Sequence, residues 1–288
     1  MRRQRIELPD GDFVDVDWTA QPGAARVLLL HGLEGSLESH YSGALLECLA
    51  QAGYRAGLLY FRGCSGEPNR LARSYHSGDS EGLDCVVRQL TQETREPLLA
   101  VIGISLGGNV LLKWLGEHGT DVPVHSAIAV SVPFDLDSAA RRLDHGMSRI
   151  YRHYLLGHLR SAALRKLSIF PEFPVTPRQL DELVTFREFD NAVTAPLCGF
   201  RDVDDYYTRS SCRRVLPAVR LPTLILHARN DPFLPATAIP DQQQLGPGIV
   251  LELARDGGHV GFVSGRRLGR PVYWLEQRIL RHLHKITP

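Results

Sequence analysis

The chain has no stretch approaching 18 uninterrupted apolar residues, which leaves no candidate for a bilayer-spanning helix. It also lacks a leader-like apolar segment. The opening MRRQRIELPDGDFVDVDW is basic but passes directly into alternating polar and apolar residues. The five cysteines (Cys48, Cys64, Cys85, Cys198, Cys212) are odd in number and contain no C-x-x-C pair, so neither a disulfide framework nor a structural zinc is expected. Neither sign of charge is in excess: 33 Lys+Arg against 32 Asp+Glu give a formal +1. That balance argues against nucleic-acid binding driven by bulk charge, and the small cluster Arg141, Arg142 and Arg149 reads as solvated surface. A G-x-x-x-x-G-K-[ST] loop is missing, and the glycine-rich RGCSGEPNR at 62–70 lacks G-x-G-x-x-G spacing, so no nucleotide cofactor is indicated. Repeats and low-complexity tracts are absent too. The expectation from these gaps is a globular protein of a reducing compartment, the cytoplasm, that needs no cofactor.

What the chain does have is an alternation of short apolar runs with helix-period segments. Residues 3–18 fit a β-hairpin in which RQRIEL and FVDVDW flank a tight Asp10-Gly11 turn. After a Pro/Gly linker, ARVLLLHG is nearly all apolar, as a strand covered on both faces must be. LESHYSGALLECLAQAG then reads as a helix ending at Gly53. Three more strand-like runs follow: YRAGLLYF leads into a Gly-rich loop and the helix DSEGLDCVVRQLTQ, PLLAVIGIS into LGGNVLLKWLGEHG, and HSAIAVSV into a change of character near Pro133.

From 134 to 217 the β/α rhythm lapses. SAARRLDHGMSRIYRHYLLGHLRSAALRKL, TPRQLDELVTFREFD and DVDDYYTRSS read as helices separated by proline-containing loops. PTLILHARNDPF, GIVLELARDGGH and the terminal helix VYWLEQRILRHLH restore the rhythm. The expected architecture is α/β: a mostly parallel, helix-covered sheet preceded by a hairpin, with residues 1–133 and 218–288 forming the core and 134–217 a helical cap inserted between core strands.

Gly103-Ile104-Ser105-Leu106-Gly107 matches G-x-S-x-G, and it follows a predicted strand and opens a predicted helix. Such a turn holds a serine hydroxyl clear of the sheet in a strained conformation, and side chains at 103 or 107 would crowd it. Gly108 fits a close-packing position, whereas Gly116 reads as a looser feature near the helix end. An ordinary serine N-cap is the plain alternative. Catalysis demands a base and a carboxylate elsewhere. His259, in ARDGGHVGF, and Asp231, in HARNDPFLP, both follow parallel strands and so share the sheet edge of Ser105, where open α/β folds place ligands. Asp256, Asp202, Asp204 and Asp205 compete with Asp231 for the acid.

The turn at Gly32 in LLLHGLEGS brings a loop toward Ser105, making the backbone N–H groups of Leu33 and Leu106 the candidate oxyanion donors. His31 fits a bracing role there. In YHSGDSEGLD, Ser77 or Asp79 is expected to cap a helix. A metal at His76 and Asp79 lacks a third ligand, and Cys64 has no feature of a nucleophile.

These strings together resemble the α/β-hydrolase superfamily, and more narrowly its YheT-like branch. The resemblance is carried by HGLEGS at 31–36, YFRGCSGEPNR at 60–70, YHSGD at 75–79, GISLGGN at 103–109, FDNAVTAPLCGF at 189–200 and ARNDPF at 228–233. It implies Ser105 as nucleophile, Asp231 as acid and His259 as base, with no cofactor. The branch includes lipid-acting hydrolases and acyltransferases. The expected activity is cleavage of a carboxylic ester with a short- to medium-length acyl chain. An acyltransferase, a lipase, phospholipase or thioesterase with the same triad, and a non-catalytic binding scaffold are the alternatives. YRHYLLGHL and IFPEFPV in the cap offer apolar side chains either to an acyl pocket or to the cap's own underside. Transient contact of the cap with a membrane surface is compatible with a lipid substrate, although the cap shows no clear interfacial helix in the sequence. The number of subunits is not encoded in these patterns.

Overall fold

The computed structural model describes residues 1–21, 25–264 and 272–287; the expected Pro/Gly linker at 22–24 lies outside them. The alternating pattern of the first segment produces β1 (Arg2–Glu7) and β2 (Phe13–Trp18), paired antiparallel with Arg3 opposite Asp17 and Arg5 opposite Asp15. Arg3 and Arg5 each donate from Nε at 2.9 Å to the facing carboxylate. This pairing explains why all six residues of β2 are buried, where the alternation predicts one wet face. The connection is also longer than the expected tight turn. It runs from Leu8 to Asp12, with Gly11 at φ 85°. Asp12 is withdrawn into the interior, where it accepts hydrogen bonds from Phe13 N–H, Arg62, Asn69 and Arg70 N–H.

The near-uniform apolar runs become β3 (Arg26–Leu30), β4 (Arg55–Tyr60), β5 (Leu98–Ile104), β6 (Val124–Val130), β7 (Thr223–Ala228) and β8 (Ile249–Ala254). With the hairpin they form one eight-stranded sheet in the order β1-β2-β4-β3-β5-β6-β7-β8, parallel from β4 onward. Intervening helices α1 (Ser42–Gln51), α2 (Ser80–Thr94) and α3 (Leu106–His118) cover the sheet, and α10 (Trp274–Ile286) closes it. A two-residue ladder joins β9 (Val263–Ser264) to β10 (Val272–Tyr273) ahead of α10. Two buried apolar clusters occupy the two faces of the sheet. One contains Leu28, Leu30, Val101 and Val110, and the other contains Leu29, Ala100, Ile102 and Ile279. Successive residues of β3 and β5 therefore point to opposite layers, which is why these strands carry no polar face.

Between β6 and β7 the ordered elements are all helical, joined by loops: α4 (Leu136–Leu143), α5 (Ser148–Leu167), α6 (Pro177–Glu182), α7 (Phe186–Phe189), α8 (Ala195–Leu197) and α9 (Val203–Ser210). Two segments expected as single helices are broken. The first stops before Gly146, which sits at φ 58° and separates α4 from α5. The second divides at Leu183, because Thr185 and Glu188 form a second capping box immediately after the one built by Thr176 and Gln179. The insertion has its own core of Leu156, Ala163, Phe173, Val175 and Leu180. Phe173 and Val175 of IFPEFPV are therefore spent on this core, whereas Ile169 is exposed.

Candidate active site

Ser105 occupies the single residue between β5 and α3, at φ 52° and ψ −116°. Side chains rarely adopt this backbone, and the surroundings enforce it. Its N–H donates to Val130 O at 2.8 Å, tying the turn to the end of β6. A Cβ on Gly103 would lie 2.5 Å from Gly107 O, and one on Gly107 would lie 2.6 Å from His31 O. Both glycines are thus required by close backbone approach. Gly116 departs from expectation: a Cβ there would stand 2.6 Å from Val215 O, so it too is a packing glycine.

The loops after β7 and β8 bring the other two residues to this turn. The Ser105 hydroxyl lies 2.9 Å from His259 Nε2, and His259 Nδ1 lies 2.9 Å and 3.1 Å from the two Asp231 oxygens. Asp231 is buried, and its Oδ1 also accepts from Phe233 N–H at 2.8 Å. Neighbouring groups hold the histidine loop. Asn230 Oδ1 accepts from Gly257 N–H and Gly258 N–H at 3.0 and 2.9 Å, while Val260 N–H donates to Ser131 Oγ at 3.0 Å. The Phe233 ring stacks on the His259 imidazole with centroids 3.8 Å apart and planes 10° from parallel. Asn230 and Phe233 carry no signal in the sequence beyond the ARNDPF string that contains them. The rival acids lie elsewhere: Asp256 is exposed and pairs with Arg255, while Asp202, Asp204 and Asp205 engage Arg201, Arg187 and Arg209 around α9.

The loop after β3 supplies the third component. A Cβ on Gly32 would come within 3.3 Å of Ser105 Cβ, which places this loop against the Ser105 turn. Gly32 N–H donates to Tyr41 Oη at 2.7 Å, Glu34 N–H to Tyr75 Oη at 2.8 Å, and Gly35 N–H to Gly32 O at 3.1 Å. Leu33 N–H lies between these satisfied neighbours and has no protein acceptor among the described residues. Leu106 is the first helical residue of α3, so its N–H has no intrahelical partner either. Among the described residues, two backbone donors, one in the loop packed on the Ser105 turn and one directly after Ser105, are thus without a protein acceptor. The Tyr75 hydroxyl also donates to Glu34 Oε1 at 2.9 Å, closing a ring that fixes Glu34 at φ 49°. Burial pushes the Glu34 carboxyl up from its ordinary value.

His31 braces this loop. Its Nδ1–H donates to Gly32 O at 2.6 Å and its Nε2 accepts from Phe61 N–H at 3.1 Å. Complete burial pulls it down to about 4, so the ring is neutral and cannot serve as a titrating base near neutrality. His76 is likewise buried and drawn down to about 4, with Nδ1 accepting from Gly78 N–H. Asp79 precedes α2 without making the expected capping bond. Burial raises the Cys64 thiol well above its ordinary range, opposite to the depression a reactive thiolate requires. Asn109, one turn after Ser105 and the last residue of the GISLGGN string, holds the surroundings of the turn, a part that the sequence does not specify. Its amide donates to Ser77 O and Ser210 O while its oxygen accepts from Cys212 N–H, pinning α3 to the loop before α2 and to the end of α9. Among the described residues no group of three or more metal-ligating side chains occurs, and no helix is long and apolar enough to cross a membrane.

Residues 25–265 match the family model described as the alpha/beta hydrolase fold. The chain belongs to the α/β-hydrolase family. Among relatives of this hydrolase is "Putative esterase YheT" of Escherichia coli, 43% identical over 281 residues that cover 96% of this chain and 82% of the relative. The hydrolase therefore falls in the YheT-like branch. Mouse "Phospholipase ABHD3" is 32% identical over 276 residues, 92% of this chain and 67% of the relative. The solved Pyrococcus furiosus esterase Pf2001 superposes with a TM-score of 0.65 over 99% of this hydrolase and 90% of that chain, at 15% identity, a likeness of fold.

Proposed function

We propose that this hydrolase cleaves carboxylic esters through a covalent acyl-enzyme formed on Ser105. The observation that carries the reading is the unbroken line Ser105 Oγ, His259 imidazole, Asp231 carboxylate, with 2.9 Å at each link. His259 Nε2 takes the hydroxyl proton as Oγ attacks the ester carbonyl, and Asp231 holds the Nδ1–H tautomer and stabilises the imidazolium. The carbonyl oxygen, now an oxyanion, is received by Leu33 N–H and Leu106 N–H. His259 returns its proton to the departing alkoxide as the carbon–oxygen bond breaks. Water, deprotonated by the same imidazole, then attacks the acyl carbonyl and releases the acid and Ser105. No metal or redox group enters these steps.

In this reading residues 1–133 and 218–288 form the catalytic core, and 134–217 form the cap. The substrate is an uncharged ester with a short to medium acyl chain. Phe233 and the half-buried Leu33 provide apolar surface beside His259 and Ser105. Names of the relatives, an esterase and a phospholipase, support an ester of lipid character. The test is a turnover series of p-nitrophenyl esters and monoacylglycerols graded by chain length, run with and without an alcohol acceptor. The expected outcome is ester hydrolysis that peaks at short to medium chains, with free acid as product. Transfer of the acyl group to the alcohol as the dominant product would replace hydrolysis by acyl transfer, and no turnover of any ester would overturn the reading.

A further inference from the structure

The segment 71–74 has no backbone ladder to hold it. None of its peptide groups makes a backbone–backbone hydrogen bond among the described residues. Tyr75, which follows directly, nevertheless carries the hydroxyl that fixes Glu34 in the loop after β3. Partners for these backbone groups come from side chains of the insertion. Lys166, in the last turn of α5, directs Nζ at three successive carbonyls: Leu71 O at 3.4 Å, Ala72 O at 3.1 Å and Arg73 O at 2.6 Å. The Cys198 thiol donates to Ser74 O at 3.5 Å, and the Tyr206 hydroxyl of α9 accepts from Ser77 N–H at 3.0 Å. Three parts of the cap thus bind one short stretch of the core.

Lys166 is suited to this contact. An ammonium offers three N–H donors and no acceptor, which matches a run of three carbonyls that no backbone N–H occupies among the described residues. Its stem runs beside the turn after β4, where a Cβ on Gly63 would lie 3.8 Å from Lys166 Cε. Burial pulls the ammonium down to about 8, so it stays largely cationic at neutral pH. α5 also reaches the loop after β3 through charge. Burial raises the Glu34 carboxyl, and the Tyr75 hydroxyl together with Arg165, His158 and Lys166 opposes that rise. Glu34 directly follows Leu33, whose N–H is one of the two donors proposed to receive the oxyanion.

We infer that Lys166 is a positioning residue for the oxyanion loop: its ammonium fixes residues 71–73, these place Tyr75, and Tyr75 holds Glu34 and with it Leu33 N–H. The cap then contributes to the catalytic geometry as well as covering the core. The inference rests on the ester-hydrolase reading for the role of Leu33. A contact that only fastens the cap would affect stability or substrate affinity, whereas one that sets Leu33 N–H affects transition-state stabilisation.

The experiment measures kcat and KM for p-nitrophenyl butyrate, the Ki of an alkyl trifluoromethyl ketone, and amide hydrogen exchange of the full chain. Ser105 Oγ adds to the ketone carbonyl as its proton passes to His259, leaving an oxyanion with no group to expel, so the ketone reports the oxyanion donors without turnover. Lys166→Met is expected to lower kcat about tenfold with KM within about twofold, and to weaken the ketone about tenfold. Exchange in peptides spanning 31–36 and 71–77 should become faster in that variant. Lys166→Arg, which keeps a cationic donor, should restore most of kcat. In a Tyr75→Phe background Lys166→Met should cost less than about twofold more, because both changes act through one link. Tyr206→Phe removes only a hydroxyl and serves where Lys166→Met does not fold; kcat should fall about threefold at constant KM. The inference is overturned by unchanged kcat in folded Lys166→Met, by a rise in KM at constant kcat, or by losses that multiply in the double variant. Absence of any ester turnover by wild type would remove the hydrolase reading, and the exchange comparison would then decide whether Lys166 holds the loop.

Discussion

In the proposed mechanism Asp231 does more than neutralise an imidazolium. It is buried, accepts Phe233 N–H at one oxygen and faces His259 Nδ1 with both, and in that mechanism it selects the tautomer in which Nε2 is free to receive the Ser105 proton. Asp231→Asn should present an amide that can donate toward Nδ1 and stabilise the wrong tautomer. Steady-state ester kinetics should show kcat lowered by about 10⁴, the loss that the same change produces in a serine protease triad; near-normal turnover would assign the acid elsewhere. The oxyanion loop gives a finer test. Tyr75→Phe removes the hydroxyl that binds both Glu34 N–H and its carboxylate, freeing the residue that follows Leu33. Since slight misplacement of a catalytic group can cost up to about 100-fold, kcat should drop about tenfold or more with KM little changed. A rise in KM at constant kcat would show that Tyr75 shapes ground-state binding instead. At this scale the sequence is informative about the side chains proposed to do the chemistry and poor on those that hold them. Ser105, Asp231 and His259 are legible because each follows a parallel strand. Asn109, Asn230 and Tyr75 act through backbone partners distant along the chain, for which no local spacing exists.

Strands of this protein are legible because burial on both faces leaves runs such as VLLL and LLAVIGI with no alternative. Helix limits in the insertion are less so. Gly146 at positive φ and the second capping box at Thr185 override a periodicity that otherwise runs through. Gly116 shows how an element can carry a constraint that its own sequence hides. Replacing a helical glycine by alanine normally favours the helix by about 1 kcal/mol, but here the new Cβ would meet Val215 O at 2.6 Å and Val215 Cβ at 2.6 Å. The clash involves backbone and is not relieved by a rotamer change. Gly116→Ala is therefore expected to destabilise the protein by about 1–3 kcal/mol in chemical denaturation; a stabilised variant would mean that α3 can move away from the segment after α9.

For the molecule as a whole, buried neutral histidines set the acid side of stability. His31, His76 and His227 are each drawn by burial from 6.5 to about 4. His227 Nε2 stands 4.0 Å from Asp231 Oδ2, outside hydrogen-bonding reach. Between pH 6.5 and 4 the unfolded chain binds these protons and the folded chain does not, so stability falls as pH falls through that window. Asp190 acts in the opposite sense. Its burial beside Tyr207 raises it from 3.8 to about 6, so the folded state gains stability as it protonates. Glu34, also raised by burial, acts in the same sense as Asp190; at about pH 5 each imidazole costs about 1–2 kcal/mol, and the three together outweigh these two carboxyls. Thermal melts should show a lower Tm at about pH 5 than at about pH 7, partly restored in His76→Gln; a flat profile would show that these rings are protonated in the folded state.

Above all, one serine of this chain, held between β5 and α3, is expected to act as a covalent nucleophile. Intact-mass and peptide analysis after treatment with a fluorophosphonate tests it directly. The expected result is a single adduct on the peptide containing Ser105, absent from Ser105→Ala, with ester turnover lost in that variant. Labelling that persists in Ser105→Ala, together with undiminished ester hydrolysis, would contradict it.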